Sequence, residues 1–226
     1  VLLGATGVSW LMAGSLIPKW ALAGMDGSSC VIRPEQTEGP YFIDERLHRS
    51  DIRSDPADGR VRSGMPPALT LLISRLKAGD CQPLPGAQVD IWHCDAQGVY
   101  SDVQDPGFNT IGQKFLRGYQ VTDARGEARF VTVYPGWYPG RTVHIHFKIR
   151  TAPVAQRSFE FTSQLYFDEV VTDRIHAGPP YAAKGPRTTR NQHDWIFRRG
   201  GDQLMLAPVT VADGYSAMFA IGLQLA

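Results

Sequence analysis

From residue 66 onward the chain is a succession of short β-branched and apolar runs separated by turn residues, an alternation that few folds other than packed sheets can satisfy. Residues 68–76, 87–94, 119–122, 128–133, 142–150, 159–167, 204–211 and 215–225 read as strands, and Asp123-Ala124-Arg125-Gly126 as a short hairpin connection. Helix is confined to 168–176 and part of 192–197. The pattern predicts an all-β fold: a two-sheet antiparallel β-sandwich with few short helices and a functional site at one rim. Residues 31–65 and 177–202, rich in Gly, Pro, Arg and Asp, are read as long ordered loops covering that site rather than as linkers. At 226 residues and 43% hydrophobic, the chain can enclose one sizeable core, so residues 24–226 are expected to form a single domain.

Charge narrows the partners. Lys plus Arg (23) balance Asp plus Glu (22), and no block of five like charges occurs, so no nucleic-acid partner and no anionic membrane surface is implied. Residues 1–18 carry no charge, and Ala21-Leu22-Ala23 before Gly24 is a small-x-small cleavage pattern. Residues 1–23 are therefore expected to be a signal peptide and the domain to be exported, periplasmic or secreted; the alternative is an N-terminal helix on a cytoplasmic protein. Gly4, Gly7, Ser9, Gly14 and Ser15 make the stretch poor as a permanent membrane span, which needs ~20 apolar residues. A homo-oligomer is left open. Of the three cysteines, Cys30, Cys81 and Cys94, two would pair in an oxidising compartment. Cys81 in a turn and Cys94 at the far end of the returning strand would lie ~30 Å apart at ~3.3 Å per residue, which disfavours that pair and leaves Cys30 free to join either.

Chemistry is concentrated in residues 134–146, Tyr-Pro-Gly-Trp-Tyr-Pro-Gly-Arg-Thr-Val-His-Ile-His. His144 and His146 stand two apart in an apolar run, so on a strand both rings leave the same face. Tyr138 precedes them across a Pro-Gly turn, and Tyr100 follows the strand-like run 89–94 and Gly98. Two phenolates with two imidazoles form a donor set carrying two negative charges, hard enough for Fe(3+). Taken singly, an H-x-H pair is often a solvated strand face, and a Tyr-Pro turn is usually packing. His93 and Cys94 match no closed zinc spacing, and the chain has neither C-x-x-C nor H-E-x-x-H. The residues alone leave three classes open: a ferric enzyme, a metal-free β-sandwich module lining a carbohydrate or aromatic cleft, and a structural zinc or copper protein.

Three blocks, residues 85–101 (Pro-Gly-Ala-Gln-Val-Asp-Ile-Trp-His-Cys-Asp-Ala-Gln-Gly-Val-Tyr-Ser), 135–139 (Pro-Gly-Trp-Tyr-Pro) and 141–146 (Arg-Thr-Val-His-Ile-His), resemble the intradiol ring-cleavage dioxygenases, the family of catechol 1,2- and protocatechuate 3,4-dioxygenases. The likeness runs from about Cys30 to the C-terminus. It implies a β-sandwich and an Fe(3+) ion held by Tyr100, Tyr138, His144 and His146, with Tyr138 and His146 axial. It further implies dioxygen and a catechol-type diol as substrates and intradiol cleavage to a cis,cis-muconate. Tyr138 would release the metal and take substrate protons, and Arg141 would stabilise negative charge on the ring. Thr37-Glu-Gly-Pro-Tyr-Phe42 and Ser163-Gln-Leu-Tyr-Phe167 resemble pocket segments, which makes Gly39, Pro40, Tyr41, Gln164 and Gly140 the candidate substrate-binding residues. Gly140 departs from the Trp of protocatechuate 3,4-dioxygenases, so that the pocket is either more open there or filled by Trp137 or Trp195 instead. Arg117, Arg187 and Arg190 are candidates for a substrate carboxylate. Which catechol is bound stays open.

Overall fold

The computed structural model describes residues 30–152, 158–212 and 214–225, so the expected signal peptide at 1–23 lies outside the described residues. Two sheets pack face to face. The first has the order β10 (Val209–Val211), β11 (Gly214–Leu223), β1 (Pro67–Lys77) and β2 (Asp80–Pro83). The free half of β1's second edge pairs with β7 (Glu127–Val131), which takes residues 68–72 while β2 takes 74–77. The second sheet has the order β6 (Arg117–Val121), β3 (Gln88–Trp92), β8 (His144–Arg150) and β9 (Glu160–Tyr166). A small hairpin of β4 (Gln104–Asp105) and β5 (Phe108–Asn109) lies between β3 and β6 in the chain.

Strict alternation explains the sandwich. Leu69, Leu71 and Ile73 on β1, Phe130 on β7, and Phe219 and Ile221 on β11 face Val89, Ile91, Ile145, Phe147, Ile149 and Leu165 from the other sheet, and all are buried in one cluster. The all-β expectation holds, with corrections in detail. β1 and β11 pair in parallel, so the first sheet is not antiparallel throughout. Asp80–Pro83, expected as a turn, is a strand because the edge of β1 recruits it despite its weak β-formers. The strand expected at 204–211 shrinks to Val209–Val211, and residues Gly201–Leu204 form a 310 turn. The helix expected at 168–176 is α1 (Glu169–His176), with Asp168 as its N-cap accepting from the Val170 and Val171 amides. The helix expected within 192–197 reduces to a 310 turn at Asn191–His193.

A second, smaller core lies on the outer face of the second sheet. There Trp92, Cys94, Tyr100 and Val103 are buried beneath Tyr41, Phe42, Ile43, Phe108 and Tyr138. The cover is an N-terminal strap that runs as coil across both sheets: Gly222 N–H donates to Val31 O at 2.8 Å and Gln36 N–H to Thr162 O at 3.0 Å. Its start is fastened by a Cys30–Cys81 disulfide, and Cys94 is the buried free thiol. That resolves the pairing which spacing alone had left open.

Candidate metal centre

The parity that sends Ile145, Phe147 and Ile149 into the sandwich sends His144 and His146 out the other side, under the strap. Sheet register then sets Arg117, Trp92, His146 and Gln164 in one row across β6, β3, β8 and β9, with His144 paired to Tyr166 one step along. The His pair thus sits on a strand face at the start of β8, as its spacing implied.

The phenols arrive from loops. The turn at 95–98 and the turn at 135–138 meet backbone to backbone: a Cβ on Gly98 would lie 2.2 Å from Trp137 O, and one on Gly136 would lie 2.4 Å from Ala96 O. Gly98 also has φ +77°, so only glycine meets both demands. This close approach places Tyr100 and Tyr138 with ring centroids 5.8 Å apart, and Tyr100 6.4 Å from the His146 ring.

The four side chains converge on one point. His144 Nδ1 lies 2.6 Å from Thr142 O, which assigns the proton to Nδ1 and leaves Nε2 a bare lone pair. That lone pair is approached by His146 Nε2 at 3.0 Å, Tyr138 Oη at 3.2 Å and an Arg141 terminal nitrogen at 3.4 Å. One lone pair accepts one good hydrogen bond, so most of this convergence is unspent on hydrogen bonding. Tyr100 Oη and His146 Nδ1 are buried with no partner at all, and an orphaned buried hydroxyl calls for an explanation such as an ion. Burial, followed by the Arg141 charge, holds both imidazoles well below their usual pKa, in the neutral form a metal requires. Burial pushes both phenols above their usual range, so their ionisation needs a compensating cation. Among the described residues no three His, Cys, Asp or Glu side chains form a metal-binding group. The donor set here depends on its phenols, and it fits a hard trivalent cation.

Around this point the pocket candidates separate. Gly39, with φ +72°, lies against His146, where an added Cβ would stand 3.3 Å from the ring carbon Cε1. Tyr41 stacks at 4.5 Å on Tyr100, lies 6.4 Å from Tyr138, and donates to Asp105 Oδ2 at 2.6 Å. Burial and that carboxylate raise its pKa to about 12. Pro40 joins these two. Gln164 is fully buried, accepts from Arg141 and donates to Thr37 O at 2.9 Å. Gly140, between Tyr138 and Arg141, is exposed at φ +86°, and a Cβ there would meet nothing within 4 Å, which leaves the space beside it open. Trp137 is packed in the main core, and Trp195 is 51% exposed under the Arg199 guanidinium. The three arginines considered for a substrate carboxylate are already engaged. Arg117 donates to Ser101 O and Tyr41 O, both at 2.6 Å, and Arg187 and Arg190 pair with Glu169 and Asp173.

Three residues escaped the sequence reading. Trp92 stacks on His146, with centroids 5.0 Å apart and planes 7° from parallel. Asp194 accepts from Arg141 Nε at 2.8 Å, and Asn191 accepts from Thr142 Oγ1 at 2.5 Å. Alternation with Val89 and Ile91 could have put Trp92 on the outward face, but nothing local to Asp194 or Asn191 marks them as neighbours of the site.

A dioxygenase family profile matches residues 37–192. An intradiol ring-cleavage dioxygenase from Tetranychus urticae superposes with a TM-score of 0.75 at 31% identity, covering 86% of this chain and 95% of that one. A protocatechuate 3,4-dioxygenase beta chain from Burkholderia cepacia is 30% identical over 142 residues, 58% of this chain and 59% of that protein. A chlorocatechol 1,2-dioxygenase from Pseudomonas putida is 32% identical over 104 residues, 38% of this chain and 36% of that protein. The chain therefore spans between about a third and three-fifths of the length of these two curated relatives. The fold and the matched segments define the class: the chain belongs to the intradiol ring-cleavage dioxygenase family.

Proposed function

We propose that the protein is a non-haem Fe(3+) dioxygenase that opens a catechol-type diol between its two hydroxylated carbons, yielding a cis,cis-muconate. The observation that carries the reading is the convergence of His146, Tyr138 and Arg141 on the bare Nε2 of His144, beside the orphaned Tyr100 hydroxyl. In this reading Tyr100, Tyr138, His144 and His146 hold the iron, which when bound supplies Lewis acidity toward the diol oxygens and a route for dioxygen reaction.

The chain's own residues divide the remaining work. Tyr100 is buried with its ring under Tyr41, which suits a permanent donor. Tyr138 is only partly buried and sits at the exposed Pro139–Gly140 turn, which suits a side chain that, held as the phenolate, would take a diol proton at Oη and become the neutral phenol. Tyr41 and Gly39 exclude water over His146 and Tyr100. Arg141 keeps a fixed positive charge beside His144, where it can stabilise charge developing on the ring.

The test is direct. Iron-loaded protein should be red-brown from tyrosinate-to-iron charge transfer and should consume dioxygen across a panel of catechols with ring-opened products. Tyr100→Phe should lose iron and colour together, because three donors leave an open, easily hydrolysed site. Colourless iron-loaded protein without oxygen uptake would overturn the reading.

We also read the domain as exported, with residues 1–23 as the signal peptide. The Cys30–Cys81 disulfide supports an oxidising compartment. Mass spectrometry of protein recovered from outside the cytoplasm should find its first residue at or near Gly24, and retention of 1–23 there would refute this.

A further inference from the structure

We propose that Asp194 is a positioning residue: it aims the Arg141 guanidinium at the metal point and, through the Thr142 backbone, sets the ring of His144. This rests on the dioxygenase reading for its kinetic consequences, but its geometric content stands on the fold alone.

Asp194 is wholly buried, and a buried carboxylate persists only if its oxygens are fully matched. They are, and the two oxygens face different ways. Oδ1 accepts from the Ile196 and Phe197 amides at 2.8 and 3.3 Å, which ties the group to its own segment. Oδ2 accepts from Arg141 Nε at 2.8 Å and from the Thr142 amide at 2.9 Å, which ties the group to the approach to β8. Thr142 then holds His144 by accepting from its Nδ1–H.

The guanidinium is a rigid planar fork, so fixing two of its ends fixes the third. Asp194 holds Nε, and Gln164 Oε1 holds one terminal nitrogen. Gln164 is itself anchored to Thr37 O. The remaining terminal nitrogen is the one presented to His144 Nε2 at 3.4 Å. Asn191 backs the same turn by accepting from Thr142 Oγ1. A bridge that only fastened residues 177–204 to the sandwich would have no need to share one oxygen between the Arg141 side chain and the Thr142 amide.

The experiment uses the full chain loaded with iron, with Asp194→Asn, Arg141→Lys and Arg141→Gln each made alone, and Asp194→Asn also combined with Arg141→Gln. An amide can serve the Ile196 side or the Arg141 side but not both. Asp194→Asn should therefore keep iron and colour, lower kcat about 10- to 100-fold and leave KM within about threefold. In the Arg141→Gln background the same change should alter kcat by less than about threefold, because the group it aims is gone. Arg141→Lys keeps the charge but lacks the fork, and should lose about as much as Arg141→Gln.

Two results overturn the proposal: an undiminished Asp194→Asn effect in the Arg141→Gln background, or near-wild-type kcat in Arg141→Lys. If Asp194→Asn does not melt cooperatively, Arg141→Lys decides alone. A readout free of activity separates this from the wider reading. In metal-free protein the Arg141 Nε–H should exchange slowly with solvent, and quickly in Asp194→Asn. Fast exchange in the unaltered chain sinks the positioning role. Slow exchange in a protein that opens no catechol would instead sink the dioxygenase reading.

Discussion

Two irregular segments border the metal point, and they are fastened by different balances of contacts. The N-terminal strap docks largely through its backbone and a covalent link, with side-chain help from Arg33, which donates to Ala220 O and Gln203 O, and from Gln36, which donates to Ile196 O and accepts from Tyr166 Oη. Besides the bonds from Gly222 and to Thr162, its Pro34 carbonyl accepts from Ser163 Oγ at 2.8 Å and its Thr37 carbonyl from Gln164 Nε2 at 2.9 Å. The segment 177–204 docks mainly through side chains. Arg187 and Arg190 clamp it to Glu169 and Asp173 on α1, and Asn191 and Asp194 plug into the turn before β8. The strap brings surface, in Gly39 and Tyr41; the other segment brings charge, in Asp194. Backbone docking tolerates many sequences except where a side chain would collide, whereas side-chain docking depends on particular groups. The strap should therefore fail by clash or truncation, and the second segment by single charge changes and by acid.

The largest effect is expected from deleting the strap. Starting the chain at Gly24 should leave activity intact, whereas starting it past Phe42 should abolish oxygen uptake, since Tyr41 no longer covers Tyr100. Full turnover after removal of 24–42 would show that the strap merely lies over the site.

Next comes the disulfide. Replacing Cys30 and Cys81 by Ser releases a link spanning 51 residues of separation, for which chain entropy gives about 4 kcal/mol of stability. Denaturant unfolding should show a loss of that order with kcat changed little, because the backbone bonds nearer the site persist. A fall in kcat larger than the fall in stability would mean that the tether, not the backbone, seats Gly39.

A smaller loss is expected from Arg187→Ala. Its side chain is 2% exposed while those of Glu169 and Asp173 are 31% and 49% exposed, so Arg190 and water partly compensate, and the cost should be about 1–3 kcal/mol. Because the change loosens the segment that carries Asp194, kcat should fall while iron is retained. Unchanged kcat would separate the clamp from the site.

The smallest effect is that of acid. Burial works to raise the Glu169 and Asp173 pKa values, but the Asn191 amide and both guanidinia on Glu169, and both guanidinia on Asp173, outweigh it and hold them low. Groups lowered on folding contribute stability that is present above their ordinary values of 4.5 and 3.8 and is lost as pH falls through the lower folded values. Asp44 near the strap is lowered in the same sense, mainly by its hydrogen bond from Arg150, yet neither the disulfide nor the backbone bonds titrate. Between about pH 6 and pH 3, amide protection, measured against the intrinsic exchange rate at each pH, should therefore fall more in residues 186–194 than in residues 31–37. Equal loss of protection would erase the contrast between the two segments.

Local pattern was enough to mark which residues could be donors and which strand faces they share. Alternation around Ile145 and Phe147 sets His144 and His146 on one side, and the Pro-Gly turns and the Gly98 and Gly136 positions mark where Tyr100 and Tyr138 leave the sheet. Both are short-range properties of backbone geometry. Tertiary structure alone decided what stands against them. Register laid Trp92 and Gln164 beside His146, the disulfide chose Cys81 over Cys94, β11 entered parallel to β1, and Asp194 reached Arg141 across fifty-three residues of chain. Gly140 faces open space, as the more open of the two pocket alternatives requires, while Arg117, Arg187 and Arg190 are engaged with neighbours. Periodicity encodes the face a side chain leaves but not its partner across the sheet, because pairing direction, register and loop docking are settled by burial of the whole chain at once.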